Sequence, residues 1–324
     1  MTSTPRCQIG FDVGGTGLKA ALVQSGQILT QVAADTPAQA LPDDAIAVML
    51  GLIRELQQRA ATQNLMIEGV GLGIAGLIDA PAGVVVTSPN LPTWQNVSLA
   101  ERLQQAIGLP VAIDNDVRAM AMGEMRYGAG IGAQHLICLT VGTGVGSALI
   151  FNGEIYRGAS LSAGEFGHMV VVPQGGRTCG CGNRGCLETV AGTEAILSLA
   201  RRQLERNLAP QLAAAMADQV LSPKLIAEAA AAGDPGAQSV WQEVGHWLGM
   251  GLASLVNLLN PQKIVIGGGI AQAGDLLLNP IARAIRQQAF ARPAETAELV
   301  LAALGPQAGM IGAAAFVEER GQHS

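Results

Sequence analysis

Near the start of the chain, apolar and polar positions come in short runs broken by glycine. CQIGFDV (7–13), LKAALV (18–23) and QILTQVA (27–33) are separated by Gly14-Gly15 and by Ser25-Gly26, a pattern that predicts a β-meander. The period then changes. Between residues 43 and 62, Ile46, Leu50, Ile53 and Leu56 recur at helical spacing and mark one face of a helix. IEGVGLGIA (67–75) and VAID (111–114) read as buried strands, and DVRAMAMGEMRYG (116–128) reads as a helix.

A second strand–turn–strand unit follows in HLICLTVGTGVGSALIFNGEIY (135–156), with a Gly-Thr-Gly turn and an Asn152-Gly153 hairpin turn. FDVGGTGLKAALV and LTVGTGVGSALIF share the order strand, Gly/Thr turn, strand. This weak internal repeat implies two halves of related architecture. Residues 193–259 read as mainly helical, and KIVIGGGI (263–270) as a buried strand ending in three glycines. A helix near 280–290, a strand ELVLAAL (298–304) and a helix over about 309–319 complete the chain. The expected organisation is two α/β domains, residues 1–117 and 118–324, with the terminal helix packing back on the first.

Composition narrows the function classes. The net charge of -6 argues against a nucleic-acid surface, which is usually basic, but permits an anionic substrate held locally. No apolar run is long enough to span a bilayer, and the N-terminus enters a strand pattern without the apolar core of a signal peptide. The expectation is a soluble, cytoplasmic protein with no membrane partner, in a compartment that disfavours disulfides.

Against that background the cysteines stand out. The chain has five, and Cys179, Cys181 and Cys186 fall within one short stretch, CGCGNRGC. Cys7 and Cys138 lie in expected strands and read as small buried hydrophobes. Three thiols cannot pair among themselves, and His168 is the one histidine close by in sequence. His with three Cys is a common tetrahedral zinc set, and the intervening glycines let a loop wrap one ion. A reactive or incidental cysteine loop is the alternative. Glu165 and Glu188 flank the cluster, and the same clamp would hold both carboxylates.

DVGGTGLK (12–19) is neither a Walker loop nor a dinucleotide fingerprint, because a strand follows it. Its backbone N–H groups, with Thr16 and Lys19, are still available to phosphate oxygens, and Asp12 could hold a metal through water. VGTGVGS (141–147) offers a second such turn at Thr143, and Gly267–Gly269 a third glycine-rich strand end. Each turn alone could be a plain hairpin. Together they suggest a nucleotide lying in a cleft between two halves. Asp114, Asn115 and Asp116 close a strand and open a helix, so Asp116 is either a helix cap or a general base for an attacking hydroxyl.

DVGGTGLK, PNLPTW, IDNDVRA, VGTGVGS, AGEFGH and CGCGNRGCLE, in this order, resemble the ROK family of bacterial sugar kinases and sugar-responsive repressors. The resemblance runs from about residue 8 to about residue 316, and AGEFGH followed by CxCGxxGCxE is its most specific part. It implies an actin-like, hexokinase-like (ribonuclease H-like) pair of α/β domains with a central cleft. It also implies that Asp116 is the catalytic base and that Asn90 and Asn115 bind sugar hydroxyls. Glu165, His168 and Glu188 would surround the anomeric side, with His168 serving the zinc as well. Asp12, Gly14, Gly15, Thr16, Thr143 and Gly144 would surround the phosphates and Mg²⁺ of ATP, and Gly268 and Gly269 would border the adenosine. The structural Zn²⁺ on His168, Cys179, Cys181 and Cys186 would orient the sugar site.

The implied reaction is ATP-dependent phosphorylation of the 6-hydroxyl of a hexose, with glucose favoured by AGEFGH and NLPTW. Ala75-Gly76 departs from the Pro-Gly frequent in the glucokinase branch, and Gly76 sits in a loop that could line the sugar. N-acetylmannosamine or N-acetylglucosamine kinase is the alternative activity, and a non-catalytic sugar sensor the competitor from another class. A zinc hydrolase is disfavoured, because four protein ligands leave no open coordination position. Few residues precede the first strand, where the repressors carry a DNA-binding module, so nucleic acid is not an expected partner. The resemblance implies a homodimer or homotetramer.

Overall fold

The computed structural model describes residues 4–15, 17–36 and 41–322. By its internal contacts the chain divides into two units. One comprises residues 1–132, 148–163 and 303–324; the other comprises 133–147 and 164–302.

The chain begins with β1 (Arg6–Val13), β2 (Gly17–Gln24), β3 (Gln27–Asp35), α1 (Pro42–Thr62) and β4 (Met66–Ile74). Then come β5 (Leu77–Asp79), β6 (Val84–Thr87), β7 (Gln95–Val97), α2 (Leu99–Ile107), β8 (Val111–Asn115) and α3 (Asp116–Tyr127). The expected meander, α1, β4, β8 and α3 are all present. β5–β7 form a small separate sheet that sequence periodicity does not reveal, because strands of three or four residues are too short to show a period. α3 groups with the first unit rather than beginning the second, since it packs against α11 and β4 of that unit.

The remainder runs β9 (Leu136–Val141), β10 (Val145–Phe151), β11 (Glu154–Ile155), α4 (Glu188–Ala191), α5 (Thr193–Glu205) and α6 (Pro210–Ala215). α7 (Pro223–Ala231), α8 (Pro235–Leu259), β12 (Lys263–Gly267), α9 (Asp275–Gln288), α10 (Ala291–Thr296), β13 (Glu298–Leu301) and α11 (Ala308–Gln322) follow. α9 begins earlier than the expected 280, and Pro280 lies inside it against Gly245 of α8. The last strand stops at Leu301, short of the expected 304, and α11 belongs to the first unit. Among the described residues no helix is long and apolar enough to cross a membrane.

The first five-stranded sheet has the order β3-β2-β1-β4-β8, and the second has the order β11-β10-β9-β12-β13. Numbered within each sheet, both read third, second, first, fourth, fifth. β1, β4 and β8 run parallel, as do β9, β12 and β13, and β2 and β3 join by antiparallel pairing. The weak repeat between FDVGGTGLKAALV and LTVGTGVGSALIF therefore corresponds to the first two strands of two sheets of one topology. The Asn152-Gly153 turn has positive φ at both residues, 55° and 77°, as a two-residue hairpin demands.

The two faces of the first sheet differ. Cys7, Ile9, Phe11 and Val13 of β1 and Val70, Leu72 and Ile74 of β4 are buried in one core with Ile46, Met49, Ile53 and Leu56 of α1. At the alternate positions Gly10, Gly71 and Gly73 fall together between the side chains of Gln8 and Asp12 and carry none of their own. A Cβ on Gly10 would overlap the Met310 carbonyl oxygen, and one on Gly71 the Ala313 carbonyl oxygen. α11 thus lies backbone to backbone on β1 and β4. Gly312 repeats the arrangement toward α3, where a Cβ would overlap the Ala119 carbonyl oxygen.

This packing is testable with a pair of glycine substitutions. Gly312→Val should lower stability in urea unfolding by about 3 kcal/mol or more, because α3 and α11 must part. Gly51→Ala, at an exposed helical position with open space around it, should raise stability by about 0.5–1 kcal/mol.

Candidate functional site

In the first unit, parallel pairing brings two strand ends level. Asp12 on β1 pairs in register with Gly73 on β4, and Gly73 pairs with Asp114 on β8. A Cβ on Gly73 would lie 2.8 Å from the Ala119 Cβ and 3.4 Å from the Asp116 Cα. Gly73 is therefore the gap that lets the start of α3 sit against the sheet near Asp12. Both carboxylates are pushed above the ordinary Asp range. For Asp116 desolvation is the leading cause, the backbone N–H of Val117 opposes it, and the charge of Asp12 adds to it. For Asp12 desolvation again leads, and Lys19, its partner in register on β2, opposes it. A Cβ on Gly309, in the first turn of α11, would lie 3.4 Å from the Asp12 Cγ, so Asp12 also faces a helix N-terminus.

The helix cap is Asn115. Its Oδ1 accepts from the backbone N–H of Val117 at 2.9 Å and of Arg118 at 3.3 Å, while Nδ2 donates to the Gly76 carbonyl at 3.2 Å. Asp116 accepts from the Val117 N–H at 2.9 Å through Oδ1, and the Asn115 side chain also hydrogen-bonds its carboxylate. Gly76 has φ 132°, which a side chain rarely tolerates, and a Cβ there would overlap the Thr87 carbonyl oxygen. Gly14 N–H donates to the Gly17 carbonyl at 3.1 Å, closing the β1–β2 turn. A Cβ on Gly15 would stand 3.1 Å from the Asn90 Cγ, so the turn and Asn90 are neighbours. Thr16 lies outside the described residues.

In the second unit, the ligand atoms of His168, Cys179, Cys181 and Cys186 all lie within 4.8 Å of one another. The Cys181 and Cys186 sulfurs are 3.7 Å apart, and the Cys179 sulfur is 3.5 Å from His168 Nδ1. A tetrahedral zinc with Zn–S of about 2.3 Å and Zn–N of about 2.0–2.1 Å requires edges of about 3.8 and 3.6 Å. The donor set and its spacing fit zinc, whereas a disulfide needs sulfurs about 2.05 Å apart. His168 presents Nδ1 to the cluster, and its Nε2 lies 3.9 Å from Glu165 Oε2.

Glu188 connects the metal loop to the second glycine turn. Its Oε2 accepts from the backbone N–H of Val145 at 3.1 Å, and its Oε1 lies 3.6 Å from the Cys179 sulfur. A Cβ on Gly144 would overlap Glu188 Oε2, so position 144 must be bare for the carboxylate to fit. Thr143 is exposed at the turn apex. Gly268, at φ 87°, packs on Val141 just before that turn. Beside Gly269 opens a cavity of about 330 Å³ lined by Trp241, Lys224, Glu228 and Ile270.

The predicted residues thus fall into two groups. Asp12, Gly14, Gly15, Lys19, Gly76, Asn90, Asn115 and Asp116 lie in the first unit. Thr143, Gly144, Glu165, His168, Cys179, Cys181, Cys186, Glu188, Gly268 and Gly269 lie in the second. Asp114 departs from the other acidic candidates. It is 1% exposed and bonded on both oxygens, so it is closed to a ligand. Gly73 and Gly309 were not singled out from sequence. The alternation of glycine with apolar residues in GVGLGI was the available signal for Gly73.

Comparison with known proteins gives the family of the chain. The sequence profile of the ROK family matches residues 8–320. A glucokinase of Halalkalibacterium halodurans is 38% identical over 320 residues, covering 97% of this chain and 96% of the relative. Among solved structures, the ROK family glucokinase of Streptomyces griseus in complex with glucose and AMPPNP superposes with a TM-score of 0.80 at 36% identity, over 97% of this chain and 99% of that one. A ROK family transcriptional regulator, a homologue of the Escherichia coli Mlc protein, superposes at 0.87 with 31% identity, over 97% of this chain and 78% of the regulator.

Metal analysis of the purified protein should give one zinc per chain. After chelation, a thiol reagent should reach Cys181 first, because it is exposed and its thiol is pushed down by the Asn183 backbone N–H. Cys186, pushed up to about 12 by burial, should react last. Protein without zinc whose three thiols react at one rate would contradict the metal assignment.

Proposed function

The chain belongs to the ROK family, and from that premise we propose that it transfers the γ-phosphoryl group of ATP to the 6-hydroxyl of a hexose, with glucose as the preferred acceptor. The observation that carries the reading is Asp116. It is a desolvated carboxylate of raised proton affinity at the mouth of the parallel strands, beside the carboxylate of Asp12. A base whose pKa is lifted toward the working pH is better matched to proton transfer from an alcohol.

Asp116 takes the proton of the 6-hydroxyl as that oxygen attacks the γ-phosphorus. The O–H bond breaks, the new O–P bond forms, and ADP departs. Asn90 and Asn115 hold sugar hydroxyls, with Gly76 in the loop beside them. Glu165, His168 and Glu188 hold the anomeric side. Asp12, Gly14, Gly15, Thr16, Lys19, Thr143 and Gly144 attend the phosphates, and Gly268 and Gly269 border the adenosine. The cavity beside Gly269 is the proposed nucleoside site, with the Trp241 ring in its wall. Bound Mg²⁺ supplies electrostatic neutralisation of the phosphates, so the protein contributes mainly positioning.

His168, Cys179, Cys181 and Cys186 hold a structural Zn²⁺, which supplies rigidity and no open coordination position. With Nδ1 on the metal, the ring keeps a proton on Nε2 and offers it as a fixed donor. From the resemblance we also carry over a cytoplasmic homodimer or homotetramer that acts without nucleic acid.

Asp116→Asn should lower kcat by about 10²–10⁴-fold, measured by coupled ADP release, while leaving glucose binding in place. It should also raise the thermal midpoint at neutral pH. Burial lifts the Asp116 pKa, so the folded state holds its proton more tightly and the ionised form costs stability at neutral pH. A variant that retains most of kcat would make Asp116 a structural residue. Across glucose, mannose, fructose, N-acetylglucosamine and N-acetylmannosamine at fixed Mg-ATP, glucose should show the highest kcat/KM. A higher value for either acetamido sugar would overturn the acceptor while leaving the kinase reading intact.

A further inference from the structure

The mechanism above makes no use of Asp114 and Arg118, yet both are buried, 1% and 5% exposed. Asp114 Oδ1 accepts from Arg118 Nη1 at 3.0 Å and from the Asn115 backbone N–H at 2.8 Å. Its Oδ2 accepts from Arg157 Nε at 2.7 Å. Arg118 also donates through Nη2 to the carbonyls of Leu161 at 2.8 Å and Ala163 at 3.1 Å. One guanidinium therefore ties the end of β8 to the irregular segment 157–163. That segment is under backbone strain. Gly158 sits at φ 72° and Leu161 at φ 62°, a conformation that leucine disfavours and that surrounding structure must impose. The bond from Arg118 to the carbonyl of Leu161 itself is such a restraint.

Burying an ion pair adds little stability that apolar packing could not supply. What this one adds is definition. Its acceptors lie on the two segments that lead directly into Asn115-Asp116 and into Gly164-Glu165.

We propose that Arg118 is a positioning residue for phosphoryl transfer: by holding Asp114 and the carbonyls of Leu161 and Ala163 together, it fixes the β8–α3 turn that presents Asp116 and the segment that leads into Glu165. The proposal rests on the reading of Asp116 as the base. Lysine cannot replace Arg118, because one ammonium nitrogen cannot span three acceptors that the planar fork reaches from two nitrogens. Arg157, 27% exposed, supports Asp114 from its other side and has the smaller role.

The test is a mutant cycle with glucose and Mg-ATP, read by steady-state kinetics and thermal unfolding on Arg118→Lys, Arg157→Gln, Asp116→Asn and the two doubles containing Asp116→Asn. Arg118→Lys should lower kcat by about 10–100-fold, since a displacement of about 1 Å costs on that order, with KM for ATP changed by less than about threefold. Arg157→Gln should give a smaller loss in kcat. In the Asp116→Asn background neither substitution should lower kcat by more than about twofold further, because the base they position is gone; what Arg118→Lys does through the Glu165 segment should appear in KM for glucose instead. Equal losses in both backgrounds, or an Arg118→Lys enzyme within about twofold of the parent, would overturn the role of Arg118 and leave that of Asp116 intact. An Asp116→Asn enzyme with parental kcat would overturn the base assignment, and the positioning role with it. Should Arg118→Lys fail to fold, the Arg157→Gln cycle carries the same two outcomes.

Discussion

The first unit depends on a sheet face that is bare of side chains at the glycines where α11 crosses it. β1 and β4 place bulky residues toward α1 and glycines toward α11, so the helix settles until backbone meets backbone at Gly10 and Gly71. Any Cβ there would push it away. Because α11 has one seat, its first turn comes beside Asp12, and Gly73 gives α3 the same close approach near Asp116. The chemistry follows from this packing. Two carboxylates are held near each other and away from water, and both are pushed upward mainly by that desolvation. Their burial lowers stability at neutral pH, and the tight helix–sheet contact offsets the loss.

The irregular parts of the chain are held by point restraints instead. Between His168 and α4 the backbone makes isolated bridges, Val170 with Cys186 and Thr178 with Arg184, and no strand or helix. With the turn bonds around them, these bridges join the two ends of the loop without the regular ladder that would hold it as a strand pair. A metal on the His168, Cys179, Cys181 and Cys186 set would fix both ends of the stretch, because His168 precedes it and Cys186 closes it. In the first unit the segment 157–163 has a guanidinium where the other loop has a zinc set. In both cases a polyvalent centre replaces secondary structure.

Much of this was legible in the sequence because it lies in spacing. The three cysteines with His168, the Gly/Thr turns and the strand-to-helix step at Asp114-Asn115-Asp116 depend on residue type and order, and the structure assembles each of them locally. Other features depend on which residues meet across the fold. Nothing in the spacing says that Asn115 rather than Asp116 caps α3, since both types suit a cap and only backbone geometry chooses. The role of Asp114 was hidden for a similar reason: Arg157 is far away in sequence, and the pairing exists only after folding. The small β5–β7 sheet escaped because its strands are shorter than any period that could announce them.

The most direct test of the account follows the phosphorus atom itself. Purified protein, Mg-ATP and glucose should be incubated together and the products resolved by ³¹P and ¹H nuclear magnetic resonance. Glucose 6-phosphate and ADP are expected in equal amounts, with ATP left intact when glucose is omitted. ADP formed without a sugar phosphate, or phosphate carried on the anomeric oxygen, would contradict it.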